Sequence, residues 1–209
     1  MTNKKAEIRE IYTGRIIAAA EEVFALKGFK GATTQEIADR AGLPKANVHY
    51  YFKTKEILYN AVLEDVVVVW KKDADAFDQS KDPTVALTEY IKSKMFHSFT
   101  RPSGSKVWAN EIIHGAPVLG DEKLGKFLNI WEKRKTIQIR RWIKHGKILP
   151  VDPHYLLFMI WATTQHYADF EHQISVLNGK KALSKDQQEQ ATKNVIGIIL
   201  RGIGLESEV

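Results

Sequence analysis

TTQEIADRAGLPKANVHYYF, residues 33–52, divides into two short apolar-periodic segments around a tight break. Ile37, Ala38 and Ala41 recur at helical spacing in the first segment, and Val48, Tyr51 and Phe52 in the second. Thr33 or Thr34 can cap the first helix, and Glu36, three residues after Thr33, completes the pattern of a capping box. Gly42 suits the left-handed conformation that ends a helix, while Leu43 turns back toward the core. Pro44 pre-sets a helical φ at the start of the next helix, where its missing N–H does no harm. The stretch reads as a helix-turn-helix whose second helix is short enough to lie in a DNA major groove.

With Val48, Tyr51 and Phe52 facing inward, Lys45, Ala46, Asn47, His49 and Tyr50 remain outward. Lysine and tyrosine reach phosphates, asparagine can read adenine through a bidentate pair, and small Ala46 permits close approach. The competing reading is a plain αα-hairpin whose polar residues face water.

The flanking residues favour the first reading. From Arg15 to Leu63 the chain runs RIIAAAEEVFALKGFKGATTQEIADRAGLPKANVHYYFKTKEILYNAVL. This closely resembles the N-terminal DNA-binding domain of the TetR family of bacterial transcriptional regulators. The matching motifs are Ala20 to Phe24, Gly28-Phe29, Thr33-Thr34, Ile37-Ala38, Ala41-Gly42-Leu43, Phe52 and Lys55, in order and at the family's spacing. The resemblance implies DNA contacts from Thr33, Thr34, Lys45, Ala46, Asn47, His49, Tyr50, Tyr51 and Lys55. Two departures stand out: Pro44 occupies a position where most members carry Ser, and His49 one where many carry Tyr. In the second half, residues 151–170, VDPHYLLFMIWATTQHYADF, with Glu111 and Gly115-Ala116-Pro117, resemble the pyrimidine-utilisation (Rut-type) branch. That branch responds to uracil or thymine.

Composition agrees with a globular chain. Its 209 residues can bury a sizeable core, and 44% hydrophobic with 27% charged residues is ordinary for a soluble protein. Cysteine is absent, which excludes disulfides and thiolate metal sites and suits a reducing cytoplasm. The charged start, MTNKKAEIREIYTG, lacks the apolar segment of a signal peptide, and no apolar run is long enough to span a bilayer. Of the net charge of +6, residues 1–55 carry +4, from ten Lys/Arg against six Asp/Glu, leaving +2 for the other 154. A basic N-terminal quarter is what phosphate binding requires.

In chain order, residues 3–14 read as a polar arm or frayed turn, where Lys4, Lys5 and Arg9 either touch the DNA backbone or have no role. Ile16, Ala20, Val23 and Phe24 mark a supporting helix closed by Gly28. After Thr54, an N-cap candidate, a long helix carries Ile57, Leu58, Ala61, Val62, Asp65 and Val69 along one side, and Lys55 sits in its first turn, where it can meet a phosphate. The strand propensity of valines 66–69 is outweighed by their helical flanks. Breaks at Pro and Gly then delimit helices near 84–99, 105–114, 122–144, 153–172 and 186–203. The expected fold is all-α, about nine helices, with a DNA-binding domain over 1–54 and an effector-binding and dimerisation domain over 55–209.

The last two helices resemble an interface. Ile196, Ile199, Leu200 and Ile203 form an apolar stripe, with Gly197, Gly202 and Gly204 permitting close approach, and 153–172 is apolar nearly all round. A two-fold homodimer pairing them would hold two recognition helices about one DNA turn, ~34–36 Å, apart. The alternative is that both stripes are used within the monomer. For an effector, Trp161 and Gln165 share a helix face, an indole for stacking beside an amide that matches an imide edge. Lys94 can donate to a ring carbonyl, Glu111 can accept from a ring N–H, and Trp70 and Trp108 can close the walls. Together they suit a small planar heterocycle such as a pyrimidine. The resemblance covers Lys94, Trp161 and Gln165 by position, against the alternative that such tryptophans are simply core.

His166, Asp169 and His172 lie at i, i+3 and i+6, a spacing on which a divalent site is conceivable, though surface histidines beside an interface are the commoner case. No metal or other cofactor is expected, and no hydrolase, zincin or P-loop motif suggests catalysis. The expected partners are double-stranded operator DNA, a small effector and a second copy of the chain. The competing class is an all-α small-molecule- or metal-binding protein with a vestigial helix-turn-helix.

Overall fold

The computed structural model describes residues 2–206, with the side chains of 2–5, 73–76, 78, 79 and 130 outside the described set. Lys4 and Lys5, candidate backbone contacts, are therefore outside it. Among the described residues every regular element is a helix: α1 (Thr2–Gly31), α2 (Thr34–Ala41), α3 (Lys45–Tyr51), α4 (Lys55–Gln79), α5 (Pro83–Thr100), α6 (Pro102–Ile113), α7 (Asp121–Lys144), α8 (Pro153–Asp169), α9 (Glu171–Leu177) and α10 (Lys185–Gly202). None of them is long and apolar enough to cross a membrane. Residues 3–14 are not an arm: they form the opening turns of α1. The helix expected over 153–172 breaks at Phe170 (φ −113°, ψ 27°), which separates α8 from α9.

The chain forms two compact units, residues 1–67 with 103–121, and residues 68–102 with 122–209. In the first, α1 buries Ile16, Ala20, Val23 and Phe24. Ile16, Val23 and Phe24 each contribute about 1.5–3 kcal/mol when fully withdrawn from water. Gly28 leaves the helix at φ 68°, ψ 173°, so the chain turns into Phe29. Phe24 and Phe29 pack edge-on against Tyr59 of α4, with ring centroids 4.8 and 5.0 Å away. The buried side of α4 is Leu58, Tyr59, Val62, Leu63, Val66 and Val67. This corrects the expected stripe: Ile57 is 49% exposed, because the real face is turned by one residue toward Tyr59.

In the second unit, α5, α8 and α10 surround a core of Leu87, Tyr90, Ile91, Met95, Leu157, Ile160, Ile196, Ile199 and Leu200. Two of these helices start alike. Asp82 caps α5 by accepting from the Thr84 N–H at 2.8 Å, and Asp152 caps α8 by accepting from the His154 N–H at 2.8 Å, each with Pro in the first turn. Ser184 and Gln187 form a capping box at the start of α10. The stripe Ile196, Ile199, Leu200 and Ile203 lies in this core and is not an exposed interface. The large apolar side chains that α8 and α10 leave exposed are Tyr155, Phe158, Met159 and Ile198.

Candidate functional site

The helix-turn-helix is built by local chemistry. The Thr33 hydroxyl accepts from the Glu36 N–H at 3.2 Å while the Glu36 carboxylate accepts from the Thr33 N–H at 3.2 Å. Lys27 forms an ion pair with the same carboxylate. That hydrogen bond first, and those from Thr33 next, hold the Glu36 carboxyl below its ordinary pKa. Gly42 ends α2 in the left-handed region, φ 63° and ψ 40°, and the Arg15 guanidinium donates to the Ala41 carbonyl at 2.7 Å. Pro44 is the residue before α3 and not its first helical one: its ψ of 142° is extended, and α3 starts at Lys45.

Val48 anchors α3 in the core, 1% exposed. Lys45, Ala46, His49 and Tyr50 face outward, and Asn47 is half-buried. Tyr51 is half-buried and stacks on Tyr12 of α1 at 6.2 Å, with Tyr50 edge-on to it at 5.0 Å. Thr33 is exposed and Thr34 half-buried at the start of α2. Lys55 is held close to the protein: its ammonium donates to the Ala32 carbonyl at 3.0 Å and lies 4.6 Å from the centre of the Phe29 ring. An ammonium has three donors, so this geometry leaves capacity for a phosphate while fixing where the group sits.

Of the six candidate effector residues, four fall in the second unit and two, Trp108 and Glu111, in the first. Side-chain hydrogen bonds tie α5 to α8. The Trp161 indole N–H donates to the Tyr90 hydroxyl at 2.9 Å, and the Ser98 hydroxyl donates to the Thr164 carbonyl at 2.8 Å. Lys94 lies one helical turn from both Tyr90 and Ser98, and Gln165 follows Thr164, so Lys94, Trp161 and Gln165 share one stretch of this helix pair. The Lys94 ammonium sits 4.2 Å from the centre of the Trp70 ring. Trp161 is flanked by Trp131 at 5.4 Å and Phe158 at 5.6 Å. Gln165 is half-buried, and its amide has no hydrogen-bond partner among the described residues.

Glu111 accepts from several groups of the protein itself. Its carboxylate, 2% exposed, accepts the backbone N–H groups of Val118 at 2.8 Å and Leu119 at 2.7 Å, and it also accepts from the Tyr59 hydroxyl. Trp108 is 9% exposed. Sequence reasoning missed Tyr59, Tyr90 and Trp131. Tyrosines inside apolar helical stripes were the available signal, since a buried phenol needs a partner for its hydroxyl. A separate cleft of about 340 Å³ lies in the second unit, lined by Ser98, Phe99, Tyr167, His172 and Gln188 among others, none of them an expected effector residue.

The metal geometry is not realised. The break at Phe170 puts His172 on a different helix from His166, and His166 stacks on Phe170 at 4.8 Å. Among the described residues no group of three or more His, Asp or Glu side chains is placed to hold a metal ion.

Comparison with known proteins agrees with this architecture. Residues 16–62 match the family described as bacterial regulatory proteins, tetR family, and residues 63–206 match the YcdC-like protein C-terminal region. The HTH-type transcriptional regulator RutR of Escherichia coli (strain K12) is 37% identical over 202 residues, covering 97% of this chain and 95% of the relative. Among solved structures, the ketosteroid transcriptional regulator KstR2 of Mycobacterium tuberculosis superposes with a TM-score of 0.72 at 19% identity, covering 91% of this chain and 94% of its own. FadR of Bacillus subtilis, solved with stearoyl-CoA, superposes with a TM-score of 0.67 at 20% identity, covering 90% and 98%. These two likenesses speak for the fold. With a helix-turn-helix head matching over 16–62, a C-terminal match over 63–206 and a relative aligned along nearly its whole length, this chain belongs to the tetR family of bacterial regulatory proteins.

Proposed function

We propose that the chain is a repressor that binds operator DNA as a two-fold homodimer and releases it when a small planar effector, a pyrimidine such as uracil or thymine, binds the body. In this reading residues 1–54 read DNA and residues 55–209 bind effector and dimerise. Lys45, Asn47, His49 and Tyr50 face the duplex, Ala46 permits close approach, and Thr33, Thr34, Tyr51 and Lys55 support or contact the phosphates. The observation that carries the effector is the half-buried, unpartnered Gln165 amide one turn from the Trp161 indole. Gln165 is not among the buried groups left without a partner, so its amide meets water and can exchange that hydration for the donor and acceptor of an imide edge. Lys94 supplies a donor to a ring carbonyl on the same stretch. Trp70 sits under its ammonium.

Dimerisation is supported by the exposed apolar side chains Tyr155, Phe158 and Met159 on α8 and Ile198 on α10. Exposed apolar groups gathered on paired helices mark protein–protein contacts. Effector binding shifts the population of dimers away from the head spacing that fits successive major grooves. The test is a thermal-shift screen over pyrimidines, purines and small aromatic acids, run on the native chain and on Gln165→Ala. A pyrimidine that raises Tm of the native chain but not of Gln165→Ala supports the reading. A purine or aromatic acid as the sole stabiliser overturns the pyrimidine assignment, and equal shifts in both chains overturn the placement at Gln165.

A further inference from the structure

The +2 that remains beyond residue 55 is itself unevenly spread. Residues 121–147, α7 and the turn after it, hold nine Lys/Arg (123, 126, 133, 134, 135, 140, 141, 144, 147) against three Asp/Glu (121, 122, 132). That excess of +6 equals the net charge of the whole chain.

Where these charges point is decided by α7's own packing. Ile139 and Trp142 are buried in the core of the second unit, and Lys135 and Thr136 are buried with them. Lys133, Arg140, Arg141 and Lys144 are exposed. At 100° per residue these four fall within one third of the helix circumference, and Lys133 to Lys144 spans about 16 Å along the axis. Three other exposed lysines of this unit are neutralised: Lys126 by Glu122 at 2.7 Å, Lys92 by Glu89 at 3.0 Å and Lys193 by Glu189 at 3.3 Å. Lys133, Arg140, Arg141 and Lys144 form no ion pair among the described residues. Glu132, the acid nearest in sequence, is turned instead to His154.

We infer that this face of α7 is a second duplex-binding surface, outside the helix-turn-helix, that grips the phosphate backbone without reading sequence. Four unneutralised cations on one row are costly by mutual repulsion and are relieved by a linear polyanion. A B-form duplex offers one phosphate charge per about 1.7 Å of axis, so it can meet the whole row at once, and guanidinium forks suit phosphate oxygens. A bilayer is disfavoured because the apolar side of α7 is already spent on the core, leaving Ile137 (40% exposed) as the apolar group within the charged row. A protein partner is disfavoured because stable interfaces gather aromatic and aliphatic groups at their centre. The proposal goes beyond the head-based reading, and borrows from it only the identity of the polyanion.

The test is fluorescence anisotropy of a labelled random-sequence duplex and of operator DNA, titrated with the full chain at several salt concentrations. Three chains are compared: native, a charge-removed variant (Lys133→Gln, Arg140→Gln, Arg141→Gln and Lys144→Gln together) and a charge-keeping variant (Arg140→Lys with Arg141→Lys). Removing four phosphate contacts is expected to flatten the slope of log K against log salt by about 3–4 on the random duplex. The charge-keeping variant should retain the native slope, which separates lost charge from lost folding. An unchanged slope in the charge-removed variant overturns the inference, as does binding of the native chain to phosphatidylglycerol vesicles but not to random duplex. If no chain prefers operator over random duplex, the head reading falls while the slope comparison still decides the role of α7.

Discussion

The Tyr59 hydroxyl donates to the carboxylate of Glu111, joining α4 to α6 inside the first unit. Tyr59 is 2% exposed and Glu111 2%, and the same carboxylate fastens the turn at Val118 and Leu119. Burial first, then the charge and hydrogen bond of Glu111, push the phenol well above its ordinary pKa. The Glu111 carboxylate thus ties the turn at Val118 and Leu119 to Tyr59 of α4.

Tyr59→Phe is therefore expected to lower stability by about 1–3 kcal/mol, because it leaves a buried carboxylate short of one donor. Urea unfolding followed by circular dichroism measures it. Since the folded pKa lies above the unfolded value near 10, the phenol's contribution is full below about pH 10 and is lost as pH rises through the folded value. Spectroscopic titration should show one of the seven tyrosines resisting ionisation until the chain unfolds in alkali. That resistant group should vanish in Tyr59→Phe.

Thr33→Ala removes the cap of α2 and should cost about 0.5–2 kcal/mol. The Glu36 half of the box is pH-dependent. With its folded pKa lowered by Lys27 and Thr33, its contribution is present above the ordinary carboxylate range and fades as pH falls through the lowered value. Denaturation midpoints compared at neutral and acid pH for native and Glu36→Gln chains should converge at the acid end.

Much of this unit was legible because its determinants are local. Thr33, Glu36 and Gly42 act on backbone within four residues, so the capping box and left-handed cap could be read from spacing alone. The four valines of α4 likewise yielded to their helical context. What could not be read depends on partners distant in the chain. The stripe at Ile196, Ile199, Leu200 and Ile203 declares that it is buried, but periodicity is silent on whether a core or a second copy covers it. Trp161 and Gln165 were visible as a face, whereas the Tyr90 hydroxyl that orients the indole was not. The break at Phe170 carries neither Gly nor Pro, so the continuous reading of 153–172, and with it the metal geometry, had no local warning.

Dimerisation by the exposed faces of α8 and α10 predicts that Met159→Glu with Ile198→Glu yields monomers. Both side chains are exposed, 58% and 64%, so the fold should survive the change. Sedimentation velocity reads the result: native chain at twice the mass of the variant, both with the same helical content. A variant that stays dimeric would move the interface elsewhere.

On the recognition helix, Lys45→Ala should weaken duplex binding uniformly and reduce the salt slope by about 1, whereas Asn47→Ala should relax preference at one base pair by about 1–3 kcal/mol. Competition binding against an operator library with single base changes separates the two.

The central claim is that duplex binding by the head answers to what the body holds. Its most direct test is anisotropy of labelled DNA from upstream of the chain's own coding region, titrated with native protein in the presence and absence of uracil or thymine. Sequence-preferring binding that falls with salt and weakens at least tenfold when the pyrimidine is added is the predicted result. Binding that shows no preference over random duplex at low salt, or that is indifferent to every pyrimidine, would contradict it.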